Sequence, residues 1–205
     1  MIIGILALQG AFMEHKHILD KMNIQTKLIK KKEDVEICDG IILPGGESTA
    51  MSIIENENEL FKEIQTFIEK GKVVWGTCAG MILLANKING KIEGQKQIGG
   101  LNVTIQRNYF GSQIQSFVEE ISYPESFQKE GIFPSIFIRA PVIVSVDKNV
   151  DVLCKLKDGT IVAVQQENLL GTSFHPELSK NYGWHEYFIH LVQKRLKTYN
   201  EKYNR

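Results

Sequence analysis

A short apolar strand runs directly into a helix over residues 73–84, VVWGTCAGMILL. Cys78 stands at the junction, and Gly76 and Gly80 on either side of it leave room for a tight turn and for close packing of the helix on the strand. This layout is typical of a nucleophile elbow, and the first turn of the helix would favour a thiolate at Cys78 over a thiol. The alternative is a buried cysteine in an ordinary strand-to-helix turn, which this segment alone does not exclude.

The residues on either side of this junction indicate how the first half of the chain is organised. Apolar runs predict strands at residues 2–8, 26–29, 40–43 and 73–76. Apolar side chains at helical spacing predict helices over residues 11–22 and 60–68, and Gly71 ends the second. Because parallel strands need crossover helices between them, this half predicts an α/β fold with a mostly parallel sheet.

The second half has a different pattern, in which short strands follow one another without long helices. These strands are predicted at residues 101–106, 132–138, 142–146, 152–156, 161–165 and 169–174. Asp158-Gly159 favours a hairpin between two of them, so we expect an antiparallel extension of the sheet. A last helix over residues 183–197 completes a single domain, 1–197, and leaves residues 198–205 as a polar C-terminal tail.

The composition is that of a protein with one compact domain. Its 205 residues are 43% hydrophobic and 23% charged, which is enough to bury a core. No apolar run approaches the ~18 to 20 residues that a membrane-spanning helix requires, and the N-terminus is typical of a first strand rather than of a signal peptide. The 24 basic and 24 acidic residues cancel, so there is no electrostatic reason to expect nucleic acid or an anionic membrane as partner.

The three cysteines indicate the redox environment. Cys38, Cys78 and Cys154 are an odd number without CxxC spacing, so neither a disulfide framework nor a zinc site is expected. A reducing cytoplasm is the expected location. Cys38 and Cys154 are interpreted as small buried apolar residues.

A histidine and a carboxylate stand close together in the segment GTSFHPE, residues 171–177. Residues two apart in an extended segment share a face, and Pro176 stiffens the turn between His175 and Glu177. We therefore expect Glu177 to hold one ring nitrogen of His175 while the other faces a thiol. The remaining histidines are interpreted as packed or surface residues: His15, His17, His185 and His190.

A glycine turn follows the buried strand that ends at Leu43, in the segment ILPGGEST, residues 42–49. Its backbone amides are free of side-chain cover, and such amides can bind a developing oxyanion. A helix capped by Ser48 or Thr49 explains the same turn equally well. Only the combination of this turn with the Cys78 elbow and the His175 segment favours a cysteine hydrolase.

Taken in order, the PGGEST turn, the GTCAG elbow and the FHPEL end closely resemble the triad (class I) glutamine amidotransferases. Within that superfamily the chain resembles the glutaminase subunits of pyridoxal 5'-phosphate synthase, the PdxT or SNO family. The closer resemblance covers roughly residues 2–178 and includes LQG at 8–10, RNYFGSQ at 107–113 with Ser116-Phe117, and FIRAP at 137–141. Other triad amidotransferases usually carry glutamine where this chain has Ile82, which argues against the anthranilate, carbamoyl phosphate and GMP branches.

The resemblance implies a flavodoxin-like three-layer sandwich that hydrolyses L-glutamine to L-glutamate and ammonia through a thioester. It implies Cys78 as nucleophile, His175 as general base and acid, and Glu177 as the residue that orients His175. The implied binding positions are the oxyanion amides of Gly46 and Ala79, glutamine contacts from Gly46, Glu47, Ser48, Arg107, Ile138 and Arg139, and a docking-linked loop at Gln9 and Gly10. No metal or cofactor is implied. The ammonia would pass to a barrel-shaped synthase subunit of the PdxS or SNZ type in a hetero-oligomer.

The C-terminal part departs from the family pattern. After Leu178 this family commonly has an arginine shortly before a histidine, and here Gly183 takes that place before His185. The departure concerns a peripheral contact and leaves the triad unchanged.

Two other interpretations remain open. One is a cysteine hydrolase of the DJ-1/PfpI kind, against which the His-Pro-Glu end and the arginine motifs count. The other is a non-catalytic subunit that only binds and regulates a synthase, against which the intact triad counts.

Overall fold

The computed structural model describes residues 1–55, 59–91, 93–107, 109, 116–127 and 131–203. Its helices are α1 (Phe12–Lys21), α2 (Ser48–Glu55), α3 (Leu60–Glu69), α4 (Ala79–Leu84) and α5 (Gly183–Tyr203). Its strands are β1 (Ile2–Leu6), β2 (Gln25–Ile29), β3 (Gly40–Leu43), β4 (Val73–Thr77), β5 (Ala85–Asn89), β6 (Leu101–Gln106), β7 (Ser116–Ser122), β8 (Ile132–Ile138), β9 (Val142–Val146), β10 (Asp151–Lys155), β11 (Ile161–Gln166) and β12 (Leu169–Thr172). None of the helices within these ranges combines the length and apolar character needed to cross a membrane.

One large sheet organises the described part of the chain, in the order β2-β1-β3-β4-β12-β11-β9-β6-β5, with β10 paired to β11 outside this path. The strands from β2 to β12 are parallel and have the order of flavodoxin-like folds. From β12 onwards the pairs β12-β11, β11-β9 and β9-β6 are antiparallel, and so is the β10-β11 hairpin. The predicted antiparallel extension is therefore confirmed, including the hairpin at Asp158-Gly159. Strands β7 and β8 form a separate antiparallel hairpin.

The sheet separates two hydrophobic cores, which makes the fold three layers thick. Strand β4 contributes to both: Val74 packs with α2, α3 and α4, whereas Val73 and Trp75 pack with α1, α5 and the β7–β8 hairpin. The parallel strands are buried on both faces, as expected for a sheet covered by helices on each side. The predicted flavodoxin-like architecture is confirmed.

Several elements differ from those predicted. Strands β5 and β7 were not expected, because their sequences ANKIN and SFVEEIS are mostly polar and their outer faces are exposed. Strand β12 ends at Thr172 rather than at Phe174. The last helix continues to Tyr203 instead of ending at Lys197, since no glycine or proline between the two positions stops it.

Gly183, where the chain departs from the family pattern, lies against a side chain of the segment that follows β7. A Cβ atom added at Gly183 would lie 2.3 Å from the hydroxyl of Tyr123. That hydroxyl donates a hydrogen bond to the Asn181 side chain, and the Tyr123 ring packs against Phe127 and Phe133. Tyr123 therefore occupies the space that a side chain at position 183 would need.

Candidate active site

Cys78 lies between β4 and α4 in a backbone conformation that residues other than glycine rarely adopt. Its φ is 48° and its ψ is −107°; such strain costs on the order of 1–3 kcal/mol and clusters at functional sites. Gly80 makes the turn possible, because a Cβ there would lie 1.9 Å from the carbonyl oxygen of Leu43. The Cys78 N–H donates to the Thr172 carbonyl at 2.8 Å, which joins the turn to the end of β12. This is the geometry of a nucleophile elbow.

His175 and Glu177 are held together just beyond β12. The backbone from Pro176 to Leu178 forms a short 3-10 turn rather than the extended segment predicted from sequence. The turn still directs the Glu177 carboxylate back to the ring: Nδ1 of His175 lies 2.7 Å from Oε1 of Glu177. The backbone N–H of His175 donates to the Ile136 carbonyl at 2.8 Å, so the histidine is also fixed to β8.

Cys78 and His175 line the same pocket, and the Cys78 side chain acts on the pKa of the His175 ring. With Nδ1 engaged by Glu177, Nε2 is the ring nitrogen left for the sulfur. Burial lowers the pKa of His175, but the hydrogen bonds and charges of Cys78 and Glu177 outweigh it and raise that pKa to about 10. An imidazolium stabilised between a sulfur and a carboxylate is the arrangement that a thiolate nucleophile needs. The Sγ atom also lies 3.9 Å from the Ile138 carbonyl oxygen, at the long end of a sulfur hydrogen bond.

The other two cysteines have no such surroundings. Burial raises the pKa of the Cys38 thiol to about 11 and that of the Cys154 thiol to about 12. Both thiols donate to backbone carbonyls, Cys38 to Asp34 and Cys154 to Ser122. Buried thiols of this kind are inert, which agrees with their interpretation as small apolar residues.

Two loops meet beside the elbow. The N–H of Ala11 donates to the Gly45 carbonyl at 2.9 Å, and Oε1 of Gln9 accepts from the Glu47 N–H at 2.7 Å. Gly10 has a φ of 97°, and a Cβ there would lie 1.9 Å from the Gly45 carbonyl oxygen. The glycine turn of residues 44–46 is thus joined to the loop that follows β1, and any movement of one loop must involve the other.

The start of α2 is capped by Glu47. Its carboxylate accepts from the backbone N–H groups of Thr49 at 3.0 Å and Ala50 at 2.7 Å, whereas the alternative explanation of the glycine turn placed the cap at Ser48 or Thr49. Partial burial opposes ionisation of Glu47, but these two amides and Arg107 hold its pKa below the ordinary value. Glu47, which stands one residue before Ser48, therefore satisfies backbone N–H groups at the start of α2 that have no partner within the helix.

A cavity of about 350 Å³ opens above the elbow, in the size range of small-molecule sites. It is lined by Gln9, Gly46, Glu47, Ser48, Cys78, Ala79, Ile82, Arg107, Ile138, Arg139, Pro141 and His175. The structure thus brings together all six predicted glutamine contacts and both predicted oxyanion positions. Glu177 lies behind His175, and Gly10 lies under the glycine turn, so neither lines the cavity. Asn108 and residues 110–113 of the family motif lie outside the described residues.

A buried amide beside this cavity was not predicted from the sequence. Gln95 accepts from the Arg107 guanidinium at 3.0 Å and donates to the Ser48 hydroxyl at 3.1 Å. Arg107 also lies 3.4 Å from the Glu47 carboxylate. Gln95 therefore links the glycine-turn side of the cavity to Arg107. No motif surrounds Gln95, so no sequence signal could have indicated it.

This fold, with a cysteine elbow and its histidine at the carboxyl ends of the parallel strands, is that of the class I glutamine amidotransferases. A crystal structure of a glutamine amidotransferase superposes with a TM-score of 0.87 at 39% sequence identity, covering 94% of this chain and 100% of that chain.

Residues 5–194 match the SNO glutamine amidotransferase family, and the chain belongs to that family. It is 43% identical to the pyridoxal 5'-phosphate synthase subunit PdxT of Dehalococcoides mccartyi, over 94% of this chain and 98% of that protein. It is 42% identical to the protein of the same name from Halalkalibacterium halodurans, over 96% of each chain. The family resemblance drawn from the sequence is confirmed.

Proposed function

We propose that the chain hydrolyses L-glutamine to L-glutamate and ammonia with Cys78, His175 and Glu177 as its catalytic triad. The observation that carries this proposal is the strained Cys78 elbow, which lines one pocket with a histidine held at 2.7 Å by a buried carboxylate. Membership of the SNO glutamine amidotransferase family supports the same chemistry.

The reaction begins with attack of the Cys78 thiolate on the side-chain amide carbon of glutamine. The carbonyl oxygen gains negative charge and accepts from the backbone N–H groups of Gly46 and Ala79. His175 gives its proton to the amide nitrogen, the C–N bond breaks, and ammonia leaves a γ-glutamyl thioester on Cys78. Water then gives a proton to His175 and attacks the thioester, which releases glutamate and restores the thiolate. Glu177 keeps the ring of His175 oriented through both steps.

The charged groups around the cavity suit the two ends of an amino acid. Arg107 and Arg139 line it together with Glu47, Ser48 and the Ile138 carbonyl. An arginine can pair with the α-carboxylate of glutamine, and a carboxylate or carbonyl oxygen can accept from its α-ammonium group. We assign these five residues and Gly46 to glutamine binding, with Gln95 holding the Arg107 side chain.

We further propose that the ammonia passes to a pyridoxal 5'-phosphate synthase subunit, a barrel-shaped protein of the PdxS or SNZ type, within a cytoplasmic hetero-oligomer. The names of the relatives support this assignment. Ammonia released into water at neutral pH is mostly protonated and no longer nucleophilic, so direct transfer has a chemical advantage. The contacts of Gln9 and Gly10 with Gly45 and Glu47 provide a route by which docking could adjust the Gly46 amide.

Steady-state glutamine hydrolysis with and without the synthase subunit tests this function. We expect weak hydrolysis by the isolated chain and strong activation by the synthase, together with glutamine-dependent formation of pyridoxal phosphate. Equal rates in the two conditions would refute activation on docking.

The Cys78→Ala variant tests the assigned chemistry, with Cys38→Ala as the control for loss of a buried cysteine. We expect the first variant to release no ammonia and the second to remain active. Unchanged ammonia release by Cys78→Ala would favour the alternative in which the chain only binds and regulates a synthase.

A further inference from the structure

A buried polar cluster lies behind Glu177, on the side away from the cavity. Nε2 of His15, in α1, lies 3.4 Å from Oε2 of Glu177, and both side chains have no exposed surface. Nδ1 of the same ring lies 2.9 Å from Nε2 of His185, in the first turn of α5. The Thr77 hydroxyl lies 3.4 Å from Nε2 of His15. The interpretation of His15 and His185 as packed residues holds, but their ring nitrogens form a chain that ends at the triad.

The contact with Glu177 is close but not ideal. Its Oε2 atom is within ion-pair distance of His15, yet it makes no hydrogen bond of good geometry to any described residue. Oε1 of the same carboxylate is fully engaged by His175. His15 thus places a ring nitrogen 3.4 Å from an oxygen that is out of reach of solvent, and a buried carboxylate oxygen without a donor is costly.

The contact with Glu177 favours one arrangement of protons, in which the Thr77 hydroxyl accepts from Nε2 of His15. If Nε2 of His15 were bare, two lone pairs would face each other across the 3.4 Å to Glu177. If Nε2 carries the proton, the Nδ1 atom of a neutral ring must accept, and His185 must then donate through its own Nε2–H. This leaves Nδ1 of His185 as the unpartnered buried atom, a lone pair rather than an N–H. Both rings are then neutral Nε2–H tautomers.

The surroundings keep the two rings neutral. Burial lowers the pKa of His15 well below its ordinary value, and His185 and His175 lower it further. Burial lowers the pKa of His185 to about 3. The indole of Trp75 meets both rings edge to face, with centroids 5.7 Å from His15 and 5.1 Å from His185. The Trp75 indole on β4 therefore fixes the ring planes of His15 and His185, in addition to their polar contacts.

We propose that His15 and His185 are positioning residues for glutamine hydrolysis: a neutral imidazole pair in which His185 orients His15 and His15 holds the second oxygen of Glu177. The inference rests on the proposed function of the triad. It extends that function by connecting α1 and α5, which are far apart in sequence, to the carboxylate that orients His175. A side chain that only filled the core would need volume at these positions but not ring nitrogens.

The test compares His15→Met, which keeps the volume but removes the donor, with His15→Gln, whose amide can donate from nearly the position of Nε2. Glutamine hydrolysis is measured in the complex with the synthase. We expect His15→Met to lower kcat about 10-fold with KM changed less than about twofold. We expect His15→Gln to recover most of the loss. His17→Met, at an exposed position of the same helix, is the matched control.

The outcomes separate this inference from the proposed function. If the native chain hydrolyses glutamine and Cys78→Ala does not, the function stands. An unchanged kcat in His15→Met would then overturn the positioning role alone. Equal losses in His15→Met and His15→Gln would also overturn it, because they would indicate packing rather than donation.

The proposal can also be tested on the native chain, without any substitution. Nitrogen-15 NMR of labelled histidine side chains distinguishes the two tautomers and the protonated ring. We expect neutral Nε2–H rings at His15 and His185 at neutral pH, because burial lowers the pKa of both rings. A protonated ring, or an Nδ1–H tautomer at His15, would overturn the proposal.

Discussion

Replacing Glu177 by glutamine removes one charge from the triad while keeping its volume. The Nδ1–H of His175 donates to this carboxylate over 2.7 Å, and Glu177 is 6% exposed. A hydrogen bond to a charged group contributes ~1.5–3 kcal/mol. Because 1.36 kcal/mol corresponds to a factor of ten in rate, the expected loss of kcat is ~10- to 150-fold. KM should change little, since Glu177 does not line the cavity.

The same substitution has a predicted effect on pH dependence. Hydrolysis needs a protonated His175 to give its proton to the leaving nitrogen, so activity falls as pH rises through the pKa of this ring, about 10 in the native chain. Glu177 is one of the two partners that raise this pKa, so Glu177→Gln should lower it and bring the alkaline limit of kcat to lower pH. The substrate amine titrates identically with both enzymes, so the difference reports on His175.

The assay is release of glutamate in the presence of the synthase, from about pH 6 to 10.5. Glu69→Gln, the same change at an exposed position at the end of α3, is the control and should behave as the native chain. A Glu177→Gln protein that melts at the native temperature and keeps a kcat within about threefold, with an unchanged pH profile, would refute the role of Glu177.

Three further predictions follow from the same contacts. A glutamine-like electrophile should label Cys78 alone in the folded chain and all three cysteines after denaturation, as read by peptide mass spectrometry; labelling of Cys38 or Cys154 in the native state would contradict their burial. Gly80→Ala should unfold at markedly lower temperature, because overpacking against backbone costs ~1–3 kcal/mol or more, and an unchanged melting temperature would contradict the contact with Leu43. Arg107→Lys should raise KM for glutamine about 10-fold with kcat nearly kept, because lysine lacks the planar fork; an unchanged KM would exclude Arg107 from binding.

The sequence was most informative where one local pattern determines one local structure. Strand β3 is an uninterrupted apolar run stopped by Pro44-Gly45-Gly46, and such a run has few alternatives to a parallel strand buried on both faces. The elbow at Cys78 and the His175 segment were predicted for the same reason, because each role depends on a few adjacent residues.

The features that were missed depend on contacts between distant residues. Gln95 reaches Ser48, which lies 47 positions away, and His15 meets His185 across 170 positions. Neither pairing leaves a periodic trace in its own segment. Strand β7 carries Glu119 and Glu120 next to each other at its centre, so its sequence lacks the alternation of apolar and polar residues that identifies half-buried strands.

The close approach of Tyr123 to Gly183 predicts how the residues at these two positions vary together among related sequences. Tyr123 is held between two other rings, so it has little freedom to yield to a neighbour. Among relatives, an arginine at the position of Gly183 should therefore be accompanied by a residue smaller than tyrosine at the position of Tyr123. The two sites would change together as one steric unit, and introducing the arginine alone into this chain would require repacking of the neighbouring aromatic cluster.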